Sequence, residues 1–466
     1  MPENRMGVLP INKLLVKMSL PPMISMLAVA LYNIIDSIFV AKVSEDALTA
    51  VTLVFPVQML MMSVNVGISV GVMSLISRRL GEKRQKEAES AAAHGFFFAI
   101  LMWILFALFG IFLAEPFLRI FTGSGNEAIL NMAHTYCKIV TIGSVSICFS
   151  NCIEKILQGS GNTFHPMLFN LIGLSTNSVL APVLIMGYLG APRLEVAGAG
   201  YAAIIGQSAG LAVALFIFLG RRHPLRVSMK GFRPRLATMR DILAVGAPSI
   251  VMQAVMPILI SFLNKMLFSY DSAVFVLGIY YRISTFAILP VIGINQGAMP
   301  VMGYNYGAKN RLRLMAAYKS AFKVALIIMV TGAAIFWIFP AQIMTLFSAE
   351  GGAMDLGIHA LRATSISWLP ASYVIITIGL FQALAYGLFA MVISIVRQIG
   401  FLLPAAWLLL MYVGIDGVWF SYPIAEVAAL AMAAIFYRRI YVQKITGLPD
   451  GAPVSGKLPG KPADGD

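Results

Sequence analysis

This 466-residue chain is short of charge: Asp, Glu, Lys and Arg make up only 12% of it, against 59% hydrophobic residues. That balance excludes an ordinary soluble globular protein, which could not cover so much apolar surface. It has only three cysteines, Cys137, Cys148 and Cys152. Their odd number excludes a complete disulfide framework, and no His or carboxylate cluster beside them has metal-ligand spacing, so they read as packing residues. There is no G-x-x-x-x-G-K-[ST] phosphate loop, which excludes an ATP-driven pump of that kind. Gly159-Ser160-Gly161-Asn162-Thr163 lacks the lysine and reads as a tight turn. No apolar stretch carries a His/Asp metal cluster, a Ser-Lys pair at catalytic spacing or a carboxylate dyad, so the chain is not expected to be an enzyme. A cleavable signal is not evident either. Residues 1 to 14 are mixed and polar, and the first apolar stretch is too long for a signal core and lacks a small-residue cleavage site.

What the chain does have is apolar stretches long enough to span a bilayer, each needing about 20 residues. Twelve are expected, near 15–40, 50–76, 91–113, 133–157, 166–188, 196–219, 243–268, 274–304, 317–339, 357–381, 387–411 and 416–437. The fold class is therefore an all-α polytopic membrane protein of twelve transmembrane helices. Lys and Arg orient it. With the N-terminus inside, 26 of the 34 fall in cytoplasmic segments and three (Lys42, Arg119, Arg193) outside; five (Lys138, Lys265, Arg282, Arg362, Arg397) lie in or at the ends of spans. The positive-inside rule then puts both termini in the cytoplasm. The net charge of +14 is absorbed by this topology and by contact with anionic lipid, so nucleic acid is not an expected partner.

The chain repeats itself at an offset of 226 residues. Gly67-Ile68-x-x-Gly71-x-Met73 returns as Gly293-Ile294-x-x-Gly297-x-Met299, Gly81-x-Lys83 as Gly307-x-Lys309, and Pro22, Met26 and Phe121 as Pro248, Met252 and Phe347. Six spans per half make the repeats parallel, related by an axis along the membrane normal. The expected layout is a cytoplasmic N-terminus (1–14), an N-lobe (15–219), a basic cytoplasmic linker (220–242), a C-lobe (243–437) and a cytoplasmic tail (438–466), disordered from about Thr446. A cavity between the bundles should open to either side. Such a protein is expected to be a secondary transporter driven by an ion gradient.

Within the first span lies Asp36, a carboxylate whose placement at the bilayer centre costs about 2.5 to 3.5 kcal/mol on insertion scales and which should face protein or a wet cavity. Tyr32 and Asn33, four and three residues earlier, share its helix face and can donate to its ionised form. Asn170 and Asn177 likewise share a face. Gln207 and Gln253 either bond a ligand or act as interhelical glue. Arg282 and Glu426 either line the C-lobe cavity or form a structural pair between bundles. His94, at the start of the third span, reads as interfacial. The 27 Met and 29 Phe residues suit an adaptable pocket for organic cations.

Several motifs carry a resemblance to the multidrug and toxic compound extrusion (MATE) family, in its bacterial branch with a single acidic residue on helix one. They are Tyr32-Asn33-Ile34-Ile35-Asp36, Phe55-Pro56, Gly67-x-x-x-Gly71, Ser77-Arg78-Arg79-Leu80-Gly81 and Gln158-Gly-Ser-Gly-Asn162-Thr163 in the first half. Gly246-Ala-Pro248-Ser249 and Gly303-Tyr-Asn305-Tyr306-Gly307-Ala308-Lys309-Asn310 follow in the second. The resemblance covers roughly residues 10 to 440. It implies a V-shaped pair of bundles exporting amphipathic, mostly cationic drugs in exchange for protons or sodium ions. It also places the ion site on Asp36 and Asn177. Two further oxygen donors of the family are replaced here by Ala181 and Ala203, and the acidic pair that some members carry on helices seven and ten is missing.

A hard cation wants several oxygens, whereas a proton needs one carboxylate of adjustable pKa. The expectation is thus a proton-coupled multidrug antiporter, monomeric, in the inner membrane, with no cofactor beyond the coupling ion. Sodium at Asp36 and Asn177 is the alternative ion, and a flippase for an anionic lipid-linked precursor, which would need a basic cavity, is the alternative activity. At the offset of 226, Asp36 corresponds to Phe262, so ion coupling is expected in the N-lobe.

Overall fold

A computed structural model describes residues 4–41, 45–122, 126–220, 225, 227, 232–270 and 272–450, with the backbone alone for 32–41, 45, 121 and 122. The described residues are helical nearly throughout, with no strand among them. After a short turn of helix at Arg5–Val8 come α1 (Ile11–Ala41), α2 (Glu45–Gly81) and α3 (Gln85–Leu108), the last continued through Thr122. A bent pair, Glu127–Ile142 and Val145–Gly159, forms α4, followed by α5 (Phe164–Met186) and α6 (Glu195–Leu219). The second half repeats the plan with α7 (Leu236–Leu267), α8 (Ala273–Gly307) and α9 (Arg311–Ile338). It continues with a second bent pair, Gly352–Ser365 and Trp368–Ala383, as α10, then α11 (Gly387 to Tyr412) and α12 (Ser421–Ile440). Among the described residues, ten helices are long and apolar enough to cross a membrane, and up to twelve spans result when each bent pair counts as one. The bends, 41° and 46°, fall in the fourth helix of each half.

The glycines of the repeat are where the halves meet. A Cβ on Gly67 of α2 would come within 2.5 Å of Ile250 Cγ1 on α7, and one on Gly71 would overlap the carbonyl of Ile242. In the symmetric contact, a Cβ on Gly293 of α8 would lie 2.7 Å from Met23 on α1, and one on Gly297 would lie 2.5 Å from Met18 O. Gly81 abuts Tyr304 and Ala308, and Gly307 abuts Arg78. Position 304 is the repeat mate of 78 and position 308 that of 82, so these two contacts are one contact seen from each side of a pseudo-two-fold axis.

Proline supplies the other half of the fit. Pro22 has no N–H to give to Met18 O, and Pro248 none for Ala244 O. Those unclaimed carbonyls are what Gly297 and Gly387 accommodate: a Cβ on Gly387 would sit 2.7 Å from Ala244 O. Small residues let backbones approach where apolar side chains gain nothing over lipid.

These contacts gather at the end that carries the basic loops, and helix periodicity shows what happens beyond them. On α8 the ridge formed by Gly297 and Gly293 continues to Phe286, Arg282, Gly278 and Phe275. These four are exposed, with Phe286 and Phe275 at 43% and 45%, and nothing lies within 4 Å of a Cβ on Gly278. On α2 the Gly67 ridge continues to Leu60, 57% exposed, and Pro56. The lobes are pinned at one end and part above Gly67 and Gly293, leaving a cleft.

Three details bear on the expected layout. The N-terminal residues are not simply polar tail: Met6 is fully buried, and Arg313 donates to Met6 O at 3.0 Å and Leu9 O at 2.8 Å. Within the expected basic linker, Leu225 is buried in the N-lobe core and α7 begins at Leu236. Order also extends past Thr446. Arg311 pairs with Asp450 at 2.8 Å and bonds Pro449 O, because the first turn of α9 leaves its N–H free.

Replacing Gly297 with Ala should lower stability by about 1 to 3 kcal/mol through overpacking, read as a lower midpoint of thermal unfolding in detergent. Gly278→Ala, facing open space, should cost nothing. Equal midpoints for the two would contradict this placement of the junction.

Candidate functional site

Asp36, Tyr32 and Asn33 belong to the outer third of α1, whose side chains lie outside the described residues. The other half of the expected ion site is described. Asn177 is buried on α5 beside α6, where a Cβ on Gly206 would come within 2.7 Å of the Asn177 Cβ. Ala181, one turn on, is buried in the outer N-lobe core. Gln207 is half-buried on α6 and Ala203 likewise. The serine of α6, Ser208, is bonded to Ser146 of α4 at 2.8 Å.

Asn170, on the same helix as Asn177, donates its amide to Glu154 Oε2 at 2.9 Å and so joins a buried cluster on α4. Glu154 and Lys155 of α4 form an ion pair at 2.9 Å with side chains 8% and 6% exposed. Gln158 Nε2 donates to Glu154 Oε1 at 2.9 Å. The Lys155 ammonium donates to Glu154 Oε1, to Gln158 Oε1 and to Gln296 Oε1 on α8, each at 2.9 Å. All three of its N–H groups have an acceptor. Lys155 had been counted among the cytoplasmic cations because it stands two residues from the end of its expected span. In the structure α4 runs on to Gly159 and the residue faces the lobe boundary. A readable signal existed: Glu154 and Gln158 are four apart on one helix face, beside a lysine.

In the C-lobe, Glu426 of α12 pairs with Arg397 of α11 at 3.0 Å rather than with Arg282. Arg397 and Gln398 open a π-helical stretch, Val396–Leu402. It precedes Pro404, which cannot return a bond to the Gly400 carbonyl. Beside it Tyr281 and Tyr422 share a hydroxyl bond of 3.0 Å, and Tyr280 stacks edge-on to Tyr422. The pair is thus built into the C-lobe interior. Arg282 and Gln253 are different: both are exposed, on the faces of α8 and α7 that continue the interlobe ridges into the cleft. His94 is structural. Its Nε2 accepts from the Arg235 N–H at 2.8 Å and its Nδ1 lies 2.7 Å from Ser90 O, so both ring nitrogens are engaged by backbone. The three cysteines are buried and free.

Two lobes pinned at one end with a cleft between them are the architecture of a polytopic membrane transporter. The MatE family model matches residues 21–183 and 248–408, once per half, and the chain belongs to that family. Among curated relatives, it is 26% identical over 435 residues to the multidrug export protein MepA of Staphylococcus aureus, covering 92% of this chain and 94% of that one. It is 22% identical over 427 residues to a FAD transporter of Shewanella oneidensis, covering 91% and 94%. Among solved structures, an outward-facing multidrug resistance MATE transporter of the MOP superfamily superposes with a TM-score of 0.89 at 27% identity, over 96% of this chain and 99% of that one. A MOP superfamily transporter of Pyrococcus furiosus, described as having a binding pocket of reversed polarity, gives 0.87 at 26% identity over the same shares.

Glu154→Gln should cost about 3 to 5 kcal/mol, because it strands a buried ammonium. Replacing the pair together, Glu154→Gln with Lys155→Met, should recover most of that loss in detergent unfolding. A double variant no more stable than the single one would mean that the pair does not act as a unit.

Proposed function

We propose that the chain is a secondary multidrug antiporter of the plasma membrane, exporting amphipathic, mostly cationic compounds in exchange for protons, with both termini cytoplasmic. The observation that carries this reading is the cleft, bounded by faces of α2, α7 and α8 that leave the glycine junction and mix apolar residues with Gln253 and Arg282. MepA, a multidrug export protein, supports the substrate class. In this reading Asp36 is the coupling carboxylate: drug and proton compete for the N-lobe, with Asn177 on α5 and Tyr32 and Asn33 on α1 as its supporting donors. Alanine at 181 and 203 leaves too few oxygens for a hard cation, which favours H⁺ over Na⁺. A monomer suffices, since both walls of the cleft come from one chain.

Exchange of one proton for one monovalent cation moves no net charge. Each unit of pH difference, about 1.4 kcal/mol, then supports a tenfold drug gradient and voltage adds nothing. A second reading, export of an anionic amphiphile, is favoured by the exposed Arg282 on the cleft face and by the FAD transporter among the relatives.

In proteoliposomes, ethidium-like dye efflux should collapse when the pH gradient is removed and persist when the sodium gradient or the voltage is removed. Asp36→Asn should lower it at least tenfold. Undiminished efflux by Asp36→Asn would overturn the coupling mechanism. Efflux of an anionic flavin but not of the dye would favour the second reading.

A further inference from the structure

We propose that Lys155 is a positioning residue of the transport cycle, the polar bolt that holds the basic end of the two lobes together. This rests on the antiporter reading above. Two of its three bonds, to Glu154 and Gln158, stay within α4 and travel with the N-lobe. The third, to Gln296, crosses to α8 and must break when the basic end opens. Glu154, held by Gln158 and Asn170, keeps the ammonium aimed at the boundary.

Other polar links cross the same boundary, but they differ in kind. Ser74 to Gln382 O at 2.6 Å and Ser19 to Ile294 O at 3.3 Å are neutral. Arg79 to Asp241 at 3.1 Å is a surface pair whose acid is 46% exposed, and Arg79 also holds Glu82 and Glu87. Such a pair is worth little in water. Lys155 and Arg313 are both charged donors that are almost wholly buried, but the acceptors of Arg313 across the boundary, Met6 O and Leu9 O, lie in the segment ahead of α1. Among the described residues Lys155 is the one that joins a span of one lobe to a span of the other, and bonds of that kind are roughly twice as strong as neutral ones.

The repeat shows that this bolt is an addition to the junction. The mates of Lys155 and Gln296 at the 226-residue offset are Phe381 and Val70, and these two residues belong to one apolar cluster. The same place on the pseudo-two-fold axis is greasy on one side and charged on the other. Backbone packing therefore does not require the lysine, and its bond is free to set how long the basic end stays shut.

The test alters the acceptor and leaves the Glu154–Lys155 pair intact. Gln296→Met keeps the volume and removes the acceptor; Gln296→Glu makes it a carboxylate. Spin labels at Lys86→Cys on α3 and Lys319→Cys on α9, both exposed, report the separation of the lobes at the basic end, and the native cysteines are buried. Gln296→Met should raise the open-to-closed ratio about 10-fold, the worth of a bond to a charged group. Gln296→Glu should shift it the other way and slow dye efflux. Distance distributions identical to wild type in both variants would overturn the proposal. A wild-type distance that never changes with substrate or pH gradient would overturn alternating access itself.

Discussion

The structure depends on backbones touching inside a bilayer. Apolar side chains gain nothing by leaving lipid for protein, so two membrane lobes adhere through close packing and a few polar bonds. Here the close packing comes from glycine set against a carbonyl that proline has left unclaimed: Gly297 against Met18 O below Pro22, and Gly387 against Ala244 O below Pro248. A joint of this kind is tight, and apolar side chains cross it as well: Met18 and Met73 pack into the C-lobe cluster and Ile242 into the N-lobe one.

Symmetry explains the shape, and its breaking explains the chemistry. The contacts of Gly81 with Tyr304 and of Gly307 with Arg78 repeat each other across the pseudo-two-fold axis. The polar residues do not. Glu154 and Lys155 have no charged counterparts in the C-lobe, and Arg397 and Glu426 correspond to Leu171 and Gly200 in the N-lobe. Two copies of one scaffold have acquired different buried charges.

The spans, the repeat and the family could be read from the amino-acid sequence because each rests on a pattern held along the chain: about 20 apolar residues per crossing, and glycines and prolines at one offset. The Glu154–Lys155 cluster could not be read the same way. An acid beside a base near the end of an apolar stretch looks like a membrane boundary, and only the packing of α4 against α8 shows that it lies inside. Arg397 and Glu426 are 29 residues apart on different helices, so periodicity could not join them. Arg282 and Glu426 looked alike as lone charges in apolar spans. They separate only once the ridge through Gly293 is followed outward to Arg282, while Glu426 turns into the lobe.

The placement of these charges bears on how the lobes can move. A buried ion that changed partners during transport would pay a desolvation cost of several kcal/mol at each exchange. Glu154 and Lys155 are neighbours on one helix, and Arg397 and Glu426 lie within one lobe, so each charge keeps its counterion whichever way the cleft faces. Motion then disturbs what crosses the boundary, including the glycine packing, the hydroxyl bonds of Ser74 and Ser19, the Arg79–Asp241 surface pair, the bonds of Arg313 to the segment ahead of α1 and the Lys155–Gln296 bond. None of these contacts, when it parts, separates a buried charge from a buried counterion.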